Sequence, residues 1–196
     1  MEYGAASIIG YLLGSVPVAL WVARRHGVDL RRTADGNPGA WNALEQLGAY
    51  RAWPAFLGDG LKGTLAGLVG LALGGIWVAY AAVAAAMLGH AFPAFARFRG
   101  GKSVMCFAGG MFALSPLAAL LALAACLLVA LVRRSFAAGA RVGVFGVPLL
   151  QLLLDPVERV AATGALMTLI GALFVVRRLG AAPNGPASGS DGPTGQ

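Results

Sequence analysis

Residues 76–103 read IWVAYAAVAAAMLGHAFPAFARFRGGKS, an apolar run that ends in a glycine-rich basic loop. The run from Ile76 to Phe95 has no charged residue, and its length matches the ~20 residues that a helix needs to cross a hydrocarbon core. The loop that follows carries Arg97, Arg99 and Lys102. Because cations are retained in the cytoplasm during insertion, this stretch predicts a membrane helix with a cytoplasmic end.

The rest of the chain has the same character, with 58% hydrophobic and 12% charged residues. Too few polar residues remain to coat a soluble globule, so the composition predicts an all-α integral membrane protein. The predicted spans are Gly4–Ala23, Trp53–Leu73, Ile76–Phe95, Pro116–Val132 and Val160–Val176. Two shorter runs, Val104–Ala113 and Val142–Leu154, are expected to be tilted spans or half-helices packed inside the protein. Counting both gives about seven transmembrane segments, and counting neither gives five.

The distribution of cations sets the predicted orientation. When the runs are threaded through a bilayer, Arg159 alone falls on the outer side, which places the N-terminus outside and the C-terminus in the cytoplasm. The first run lacks a basic segment before it and a small-residue cleavage site, so it is expected to be a retained helix. The basic residues lie in short loops where this rule accounts for them, so nucleic-acid binding is not indicated.

Two stretches lie outside the membrane runs. Residues 24–51 are polar and rich in Gly and Asn, which predicts a folded cytoplasmic loop. Residues 181–196 are rich in Gly and Pro, with Ser, Asn and one charge, which predicts a disordered cytoplasmic tail after a single membrane domain of residues 1–180. Cys106 and Cys126 lie in apolar runs without metal-ligand spacing, so no metal site is expected.

The cytoplasmic loop contains the first candidate site, Asp35-Gly36-Asn37-Pro38-Gly39-Ala40-Trp41-Asn42. Glycines there can expose backbone amides to an anion, and Asn37 and Asn42 can orient a hydroxyl group or cap the next helix. An ordinary turn followed by a helix N-cap explains the same residues.

The basic loop at residues 97–103 is the second candidate site. Backbone amides at Gly100, Gly101 and Ser103, Lys102 as a point charge, and Arg97 or Arg99 as a fork could together bind phosphate. The GxxxxGK[ST] spacing of a P-loop is absent, and an ordinary positive-inside loop remains the alternative.

Three further residues bear charge or protons within apolar runs. Asp59 and Lys62 are three apart and share a helix face, where they can neutralise each other. His90 can accept a proton or simply join two helices by a hydrogen bond. The residues alone leave the functional and the structural explanations open for all three.

Five segments in this order resemble the bacterial acyl-phosphate glycerol-3-phosphate acyltransferase family, PlsY, over roughly the first 105 residues. They are Gly14-Ser15-Val16-Pro17, Asp29-Leu30-Arg31, Gly36–Gly48, Asp59–Gly63 and Gly89–Lys102. The resemblance implies an enzyme of the bacterial inner membrane whose active face is cytoplasmic. Its reaction moves a fatty acyl group from acyl phosphate to the sn-1 hydroxyl of glycerol-3-phosphate, giving lysophosphatidic acid and phosphate in phospholipid synthesis.

The resemblance also implies roles for individual residues. No metal, CoA or other cofactor is needed, and the leaving phosphate helps to take the proton, so no protein nucleophile is expected. The expected partners are the two substrates and membrane lipids, and the oligomeric state stays open. The expected catalytic residues are His90 and Asn42. The expected substrate-binding residues are Asn37, Gly39, Lys62, Arg97, Arg99, Gly100, Gly101, Lys102 and Ser103.

The chain departs from the family pattern inside these motifs. Asp35, Trp41 and Glu45 stand where the family has Ser, Thr and Arg, Ser103 replaces a Gly, and the third motif is reduced to Val176–Gly180 without His or Asn. An uncompensated carboxylate ~5 Å from a phosphate costs on the order of 3 kcal/mol at an effective dielectric of 20. Two alternatives therefore accompany the acyltransferase prediction: a non-catalytic lipid or acyl-phosphate binding protein that regulates a partner enzyme, and a small anion transporter.

Overall fold

The computed structural model describes residues 1–180, with side chains described as far as residue 176. This part of the chain is helical and contains no strand, which confirms the predicted all-α membrane fold. The α-helices are α1 Glu2–Gly14, α2 Val18–Arg25, α3 Ala40–Leu47, α4 Ala49–Gly74, α5 Ile76–Ala91, α6 Val104–Leu114, α7 Pro116–Val132, α8 Phe136–Leu154 and α9 Val157–Gly180. The tail predicted for residues 181–196 lies outside the described residues.

Five stretches of residues 1–180 are long and apolar enough to cross a membrane: Glu2–Arg25, Ala49–Gly74, Ile76–Ala96, Phe136–Leu154 and Val157–Val176. The run predicted as Val142–Leu154, a tilted span or a half-helix, begins earlier in the structure: α8 starts at Phe136 and has 19 residues, which is long enough to span. Arg141 interrupts the apolar run in the sequence. On an outer helix face its long side chain can extend towards an interface without ending the helix.

The first span is interrupted, although its sequence predicted one continuous run. Helix α1 ends at Gly14 and α2 begins at Val18, because Pro17 has no N–H group with which to continue the helix. The break is held by side chains from elsewhere. The ε-amino group of Lys62 donates to the carbonyl oxygen of Val16 at 3.1 Å, and the Ser15 hydroxyl donates to the Tyr11 carbonyl oxygen at 2.8 Å.

Small residues bring the helices into close contact. A Cβ atom at Gly10 or Gly14 of α1 would overlap the backbone of Ala82 or Ala86 of α5. Such spacing of small residues lets helices approach closely in a membrane, where water does not drive them together.

The α4–α6 contact is closer still. A Cβ atom at Gly109 would overlap the Gly60 backbone, and one at Gly63 would overlap the Cys106 carbonyl oxygen. The Thr64 hydroxyl donates to the Gly109 carbonyl oxygen at 2.7 Å. Helix α6 is only 11 residues long, and its buried residues include Phe107 at the centre of the main core cluster. This matches the expectation of a short helix packed inside the protein.

A polar cluster joins the α8–α9 turn to α5 and to the α6–α7 junction. Asp155 pairs with Arg159 at 2.7 Å and accepts a hydrogen bond from the Ser115 hydroxyl. The Tyr80 hydroxyl donates to the Arg159 carbonyl oxygen at 3.0 Å and lies 3.0 Å from the Thr163 hydroxyl. Arg159, the one cation predicted outside, is therefore neutralised by an ion pair.

Replacing Gly109 by Ala should destabilise the fold. The added methyl group meets the Gly60 backbone, which cannot move aside as a flexible side chain can, and overpacking of this kind costs about 1 to 3 kcal/mol in free energy of unfolding. Thermal unfolding of the purified variant in detergent, followed by circular dichroism, should show a lower midpoint than the wild type.

Gly164→Ala is the matched control, since Gly164 also lies within a helix but a Cβ atom there meets nothing within 4 Å. Its midpoint should equal or exceed that of the wild type, because Ala is the better helix former by about 1 kcal/mol. Equal midpoints for the two variants would contradict the assigned α4–α6 contact.

Candidate active site

A cavity of about 970 Å³ lies among α3, α4, α6, α7, α8 and α9. Most of its lining is apolar: Phe107, Met111, Phe112, Ala119, Ala122, Leu123, Cys126, Phe136, Ala140, Gly143, Val144 and Val147. Polar groups also reach it: Asp35, Asn37, Asn42, Glu45, Asp59, His90, Lys102 and Ser103. Along α6 the lining changes from Ser103 to Phe112 over about 13 Å, at 1.5 Å per residue. The cavity therefore suits a molecule with a polar head and an apolar tail.

Asn42 holds the loop that covers the polar end. Its side chain is buried, and its amide nitrogen lies within 2.9 to 3.2 Å of the carbonyl oxygens of Leu30, Thr33 and Asn37. Its amide oxygen accepts from the Thr33 hydroxyl at 3.2 Å. The residue predicted to be catalytic or to cap a helix thus makes its described hydrogen bonds within the loop, while Gly39 is the N-cap of α3.

Asn37 lies at the tip of this loop and lines the cavity. Its backbone N–H donates to Asp35 Oδ1 at 3.1 Å. Its own side-chain oxygen is shielded from solvent and accepts no hydrogen bond within the described part of the chain. Gly39 leaves room for the Asn37 amide group, because a Cβ there would lie only 3.1 Å from the Asn37 side-chain nitrogen. Asn37 therefore offers an acceptor that a bound hydroxyl group could satisfy.

Lys102 stands between the loop and α9. Its ε-amino group lies 2.7 Å from Asp35 Oδ2 on one side and 4.5 Å from the centre of the Phe174 ring on the other. The lysine side chain is 21% exposed and that of Asp35 is 55% exposed. The carboxylate that sequence analysis left uncompensated is therefore paired with the predicted phosphate-binding lysine.

The pairing affects the ionisation of Asp35. Partial burial raises the pKa of the Asp35 carboxyl group. Hydrogen bonds from the Lys102 side chain and the Asn37 backbone, together with the lysine charge, lower this pKa by more than burial raises it. The pKa of Asp35 therefore lies below its ordinary value. Because the pKa is lowered, Asp35 stays ionised above that pKa and throughout the neutral range. Acid that protonates Asp35 would therefore remove the ion pair with Lys102.

The other two departures from the family motif contact each other. The Trp41 indole N–H donates to Glu45 Oε1 at 2.7 Å, one turn along α3. The Trp41 ring also stacks on Phe136 of α8, with ring centroids 5.6 Å apart. Glu45 is thus held within its own helix, and Trp41 joins α3 to the cavity wall.

The glycine loop closes onto the end of α5. The N–H groups of Gly100 and Gly101 donate to the carbonyl oxygens of Ala91 and His90, each at 3.0 Å. These two amides, predicted to bind phosphate, are occupied within the protein. Gly101 is required for another reason, because a Cβ there would overlap the His90 ring. The Ser103 hydroxyl donates to the Met87 carbonyl oxygen at 2.5 Å and fixes the start of α6.

A buried charged group lies beside this loop. Lys62 Nζ is 2.9 Å from Asp59 Oδ1, and His90 Nδ1 is 3.6 Å from the same oxygen. Asp59 and His90 line the large cavity, whereas Lys62, Gly100 and Gly101 line only a space of about 10 Å³ behind it. That space could hold about one water molecule. Lys62 is therefore placed to balance Asp59 and to hold the α1–α2 break.

Arg97 and Arg99 are exposed and line neither of the two cavities found in the described residues. The basic loop is instead contacted by the guanidinium group of Arg31. It donates to the carbonyl oxygens of Ala96 at 2.6 Å and Arg99 at 3.0 Å. Burial and the charge of Arg24 lower the pKa of Arg31, although Asp29 opposes them. Arg31 ties the basic loop to the cytoplasmic loop.

Sequence reasoning missed Arg31 and Phe174 as parts of the site, and it had no role for Asp35. The spacing of Asp29, Leu30 and Arg31 was a signal, since that segment belongs to the motif order. No sequence signal marked Phe174, because nothing distinguishes one apolar residue from the others in an apolar helix. Of the reduced third motif, the structure describes the side chain of Val176 and only the backbone of residues 177–180.

Comparison with known proteins agrees with this architecture. A relative from Rubrobacter xylanophilus named glycerol-3-phosphate acyltransferase is 46% identical over 110 residues, 56% of this chain and 55% of that protein. One of the same name from Symbiobacterium thermophilum is 40% identical over 154 residues, 79% of this chain and 77% of that protein. The crystal structure of PlsY (YgiH), an integral membrane glycerol 3-phosphate acyltransferase, in its glycerol 3-phosphate form matches with a TM-score of 0.76 and 32% identity, covering 91% of this chain and 89% of that one.

The same crystallised protein in its lysophosphatidic acid form matches with a TM-score of 0.76 and 30% identity, over 91% of this chain and 92% of that one. Fold and cavity thus define a membrane-embedded acyltransferase of phospholipid synthesis. The model of the glycerol-3-phosphate acyltransferase family matches residues 4–181, and the chain belongs to that family.

Asn42→Asp should loosen the loop without unfolding the helices. The change replaces an amide donor by an acceptor facing three carbonyl oxygens, and such a buried mismatch costs about 1 to 3 kcal/mol. Hydrogen exchange of the amides of residues 30–39, measured by mass spectrometry, should become roughly 5- to 150-fold faster.

Gln46→Glu makes the same amide-to-carboxylate change on an exposed position of α3 and serves as the control. Its exchange in residues 30–39 should equal that of the wild type. Unchanged exchange in Asn42→Asp would show that Asn42 does not hold the loop.

Proposed function

We propose that this acyltransferase takes its acyl group from acyl phosphate and transfers it to the sn-1 hydroxyl of glycerol-3-phosphate. The observation that carries the proposal is the amphipathic cavity, with Lys102 and Asn37 at its polar end and apolar walls from α6, α7 and α8. A long acyl chain fits such walls, and phosphate fits the lysine.

In this reaction the main task of the protein is to position the two substrates. The acceptor hydroxyl oxygen attacks the carbonyl carbon of the acyl phosphate, and a new ester C–O bond forms as the bond from that carbon to the phosphate oxygen breaks. The phosphate leaves with the bonding electrons and accepts the proton of the hydroxyl group. Because the donor is already activated, alignment of the two substrates and stabilisation of charge supply most of the rate.

The residues at the polar end divide this work. Lys102 binds a phosphate group through a charge-assisted hydrogen bond. Asn37 orients the acceptor hydroxyl through its side-chain oxygen, which is shielded and accepts no hydrogen bond within the described residues. His90, which lines the same cavity, is the proposed hydrogen-bond partner of the acyl carbonyl. Asn42 and Arg31 act on the substrates through the loop that they hold.

Location follows from the chemistry and the charge pattern. Both substrates of the proposed reaction carry phosphate, and the product is a membrane lipid, so the polar end of the cavity faces the cytoplasm in the inner membrane of a bacterium. The cluster of cations in the loops beside this end supports the same orientation.

Lys102→Ala should lower kcat/KM roughly 10- to 150-fold, because the lost contact to an ionised phosphate is worth about 1.5 to 3 kcal/mol. The assay is the initial rate of lysophosphatidic acid formation from acyl phosphate and glycerol-3-phosphate by protein in proteoliposomes. Arg25→Ala removes an exposed cation at the end of α2 that lines neither cavity, and it should retain the wild-type rate.

Binding of lysophosphatidic acid without any turnover by the wild type would favour the non-catalytic regulator instead. Passage of phosphate across sealed vesicles, again without turnover, would favour the anion transporter.

Orientation can be tested in a variant that lacks both native cysteines. A cysteine in place of exposed Arg97 should be shielded from a membrane-impermeant thiol reagent in intact cells, and a cysteine in place of exposed Glu158 should react. Both should react after the membrane is permeabilised. Labelling at residue 97 in intact cells would overturn the proposed cytoplasmic face.

A further inference from the structure

Three carboxylates reach the cavity, and two of them are held by partners to which the proposed function gives no contact with phosphate. Asp59 is paired with Lys62, and Glu45 accepts a hydrogen bond from Trp41. The third, Asp35, is paired with Lys102, the residue that binds phosphate in the proposed function. This lysine is therefore already neutralised by a carboxylate of the protein.

The two partners of this ion pair differ in how firmly they are held. Lys102 is 21% exposed, contacts the Phe174 ring, and lies between the end of α5 and the start of α6. Asp35 is 55% exposed and belongs to a turn in which Ala34 and Gly36 both have positive φ. When an anion arrives, Asp35 Oδ2 can give up Lys102 while Oδ1 keeps its hydrogen bond from the Asn37 N–H, whereas Lys102 cannot leave without losing its contact with the Phe174 ring.

We propose that Asp35 is a displaceable internal anion: it occupies Lys102 in the empty enzyme, yields to a phosphate group of the substrate, and returns to help release the phosphate-bearing products. This inference rests on the proposed role of Lys102. Ion pairs that are open to solvent change an equilibrium by about fivefold or less, so the pair is weak enough for a phosphate to replace it. The Asp35 carboxylate is ready to return because its lowered pKa keeps it ionised at neutral pH.

The displacement has a consequence for the catalytic cycle. Every anion that binds Lys102 must replace the same carboxylate. Asp35 therefore weakens the binding of phosphate-bearing substrates and products alike. An enzyme whose phosphate product competes with its phosphate substrates gains by this, because faster release of product offsets weaker binding of substrate. Asp35 thus sets how fast the phosphate-bearing products leave, and Lys102 makes the site selective for phosphate.

Asp35→Asn removes the charge and keeps the shape of the side chain. Inorganic phosphate should then inhibit acyl transfer at a concentration roughly fivefold lower, and lysophosphatidic acid should dissociate roughly fivefold more slowly, because the competing ion pair is gone. Inhibition is measured from initial rates in proteoliposomes, and dissociation by displacement of a fluorescent lysophosphatidic acid from protein in nanodiscs.

Glu45→Gln is the matched control, since it makes the same charge change on the same cavity without touching Lys102. Its phosphate inhibition should change far less than that of Asp35→Asn. If the two variants strengthen phosphate inhibition equally, the cause is only electrostatic repulsion from a nearby carboxylate. That result would overturn the proposed exchange between Asp35 and the substrate phosphate.

A double-mutant cycle separates this inference from the proposed function. In the Lys102→Ala background, Asp35→Asn should change lysophosphatidic acid binding by less than twofold, since no cation remains to exchange. If Lys102→Ala alone leaves binding unchanged, the phosphate site of the proposed function fails. If Lys102→Ala weakens binding while Asp35→Asn has no effect in the wild type, only the displacement by Asp35 is refuted.

Discussion

The contact between the α4 and α6 backbones at Gly60 and Gly109 is the constraint on which the rest of the structure depends. Helix α6 begins two residues after Lys102, so the docking of α6 against α4 determines where the lysine stands. The same docking places Asp59 of α4 beside the cavity and turns one side of α6 towards it. Glycine is needed at this crossing because any Cβ would separate the two helices.

Charge in this apolar protein is arranged in pairs of unequal strength. Asp59 with Lys62, and Asp155 with Arg159, are largely withdrawn from solvent, and removing one member of a buried pair costs about 3 to 5 kcal/mol. The pair of Asp35 with Lys102 is partly exposed, where an ion pair is worth about 1 kcal/mol or less. The first two pairs hold helices together, and the third is weak enough to take part in ligand exchange.

The altered motif residues Asp35, Trp41 and Glu45 are explained by one contact between distant parts of the chain and one within a helix. Asp35 and Lys102 are 67 residues apart, and no periodicity relates them. Trp41 and Glu45, by contrast, are one helical turn apart on α3, a spacing that the sequence alone could have revealed. The fold shows the same difference. Arg141 obscured the start of α8 in the sequence. Pro17, which interrupts the first span, is visible in the sequence, but the bond from Lys62 of α4 that helps to hold this break is not.

The sequence by itself determined the membrane class, the helical fold and most of the spans, because hydropathy and helix length are local properties set by the thickness of a bilayer. Through the order of its motifs it also indicated the family. Only the tertiary structure decided which polar groups meet: that the amides of Gly100 and Gly101 serve α5, that Asn42 holds a loop, and that Asp35 occupies Lys102. These outcomes depend on distances between side chains far apart in the chain, and such distances exist only after the helices have packed.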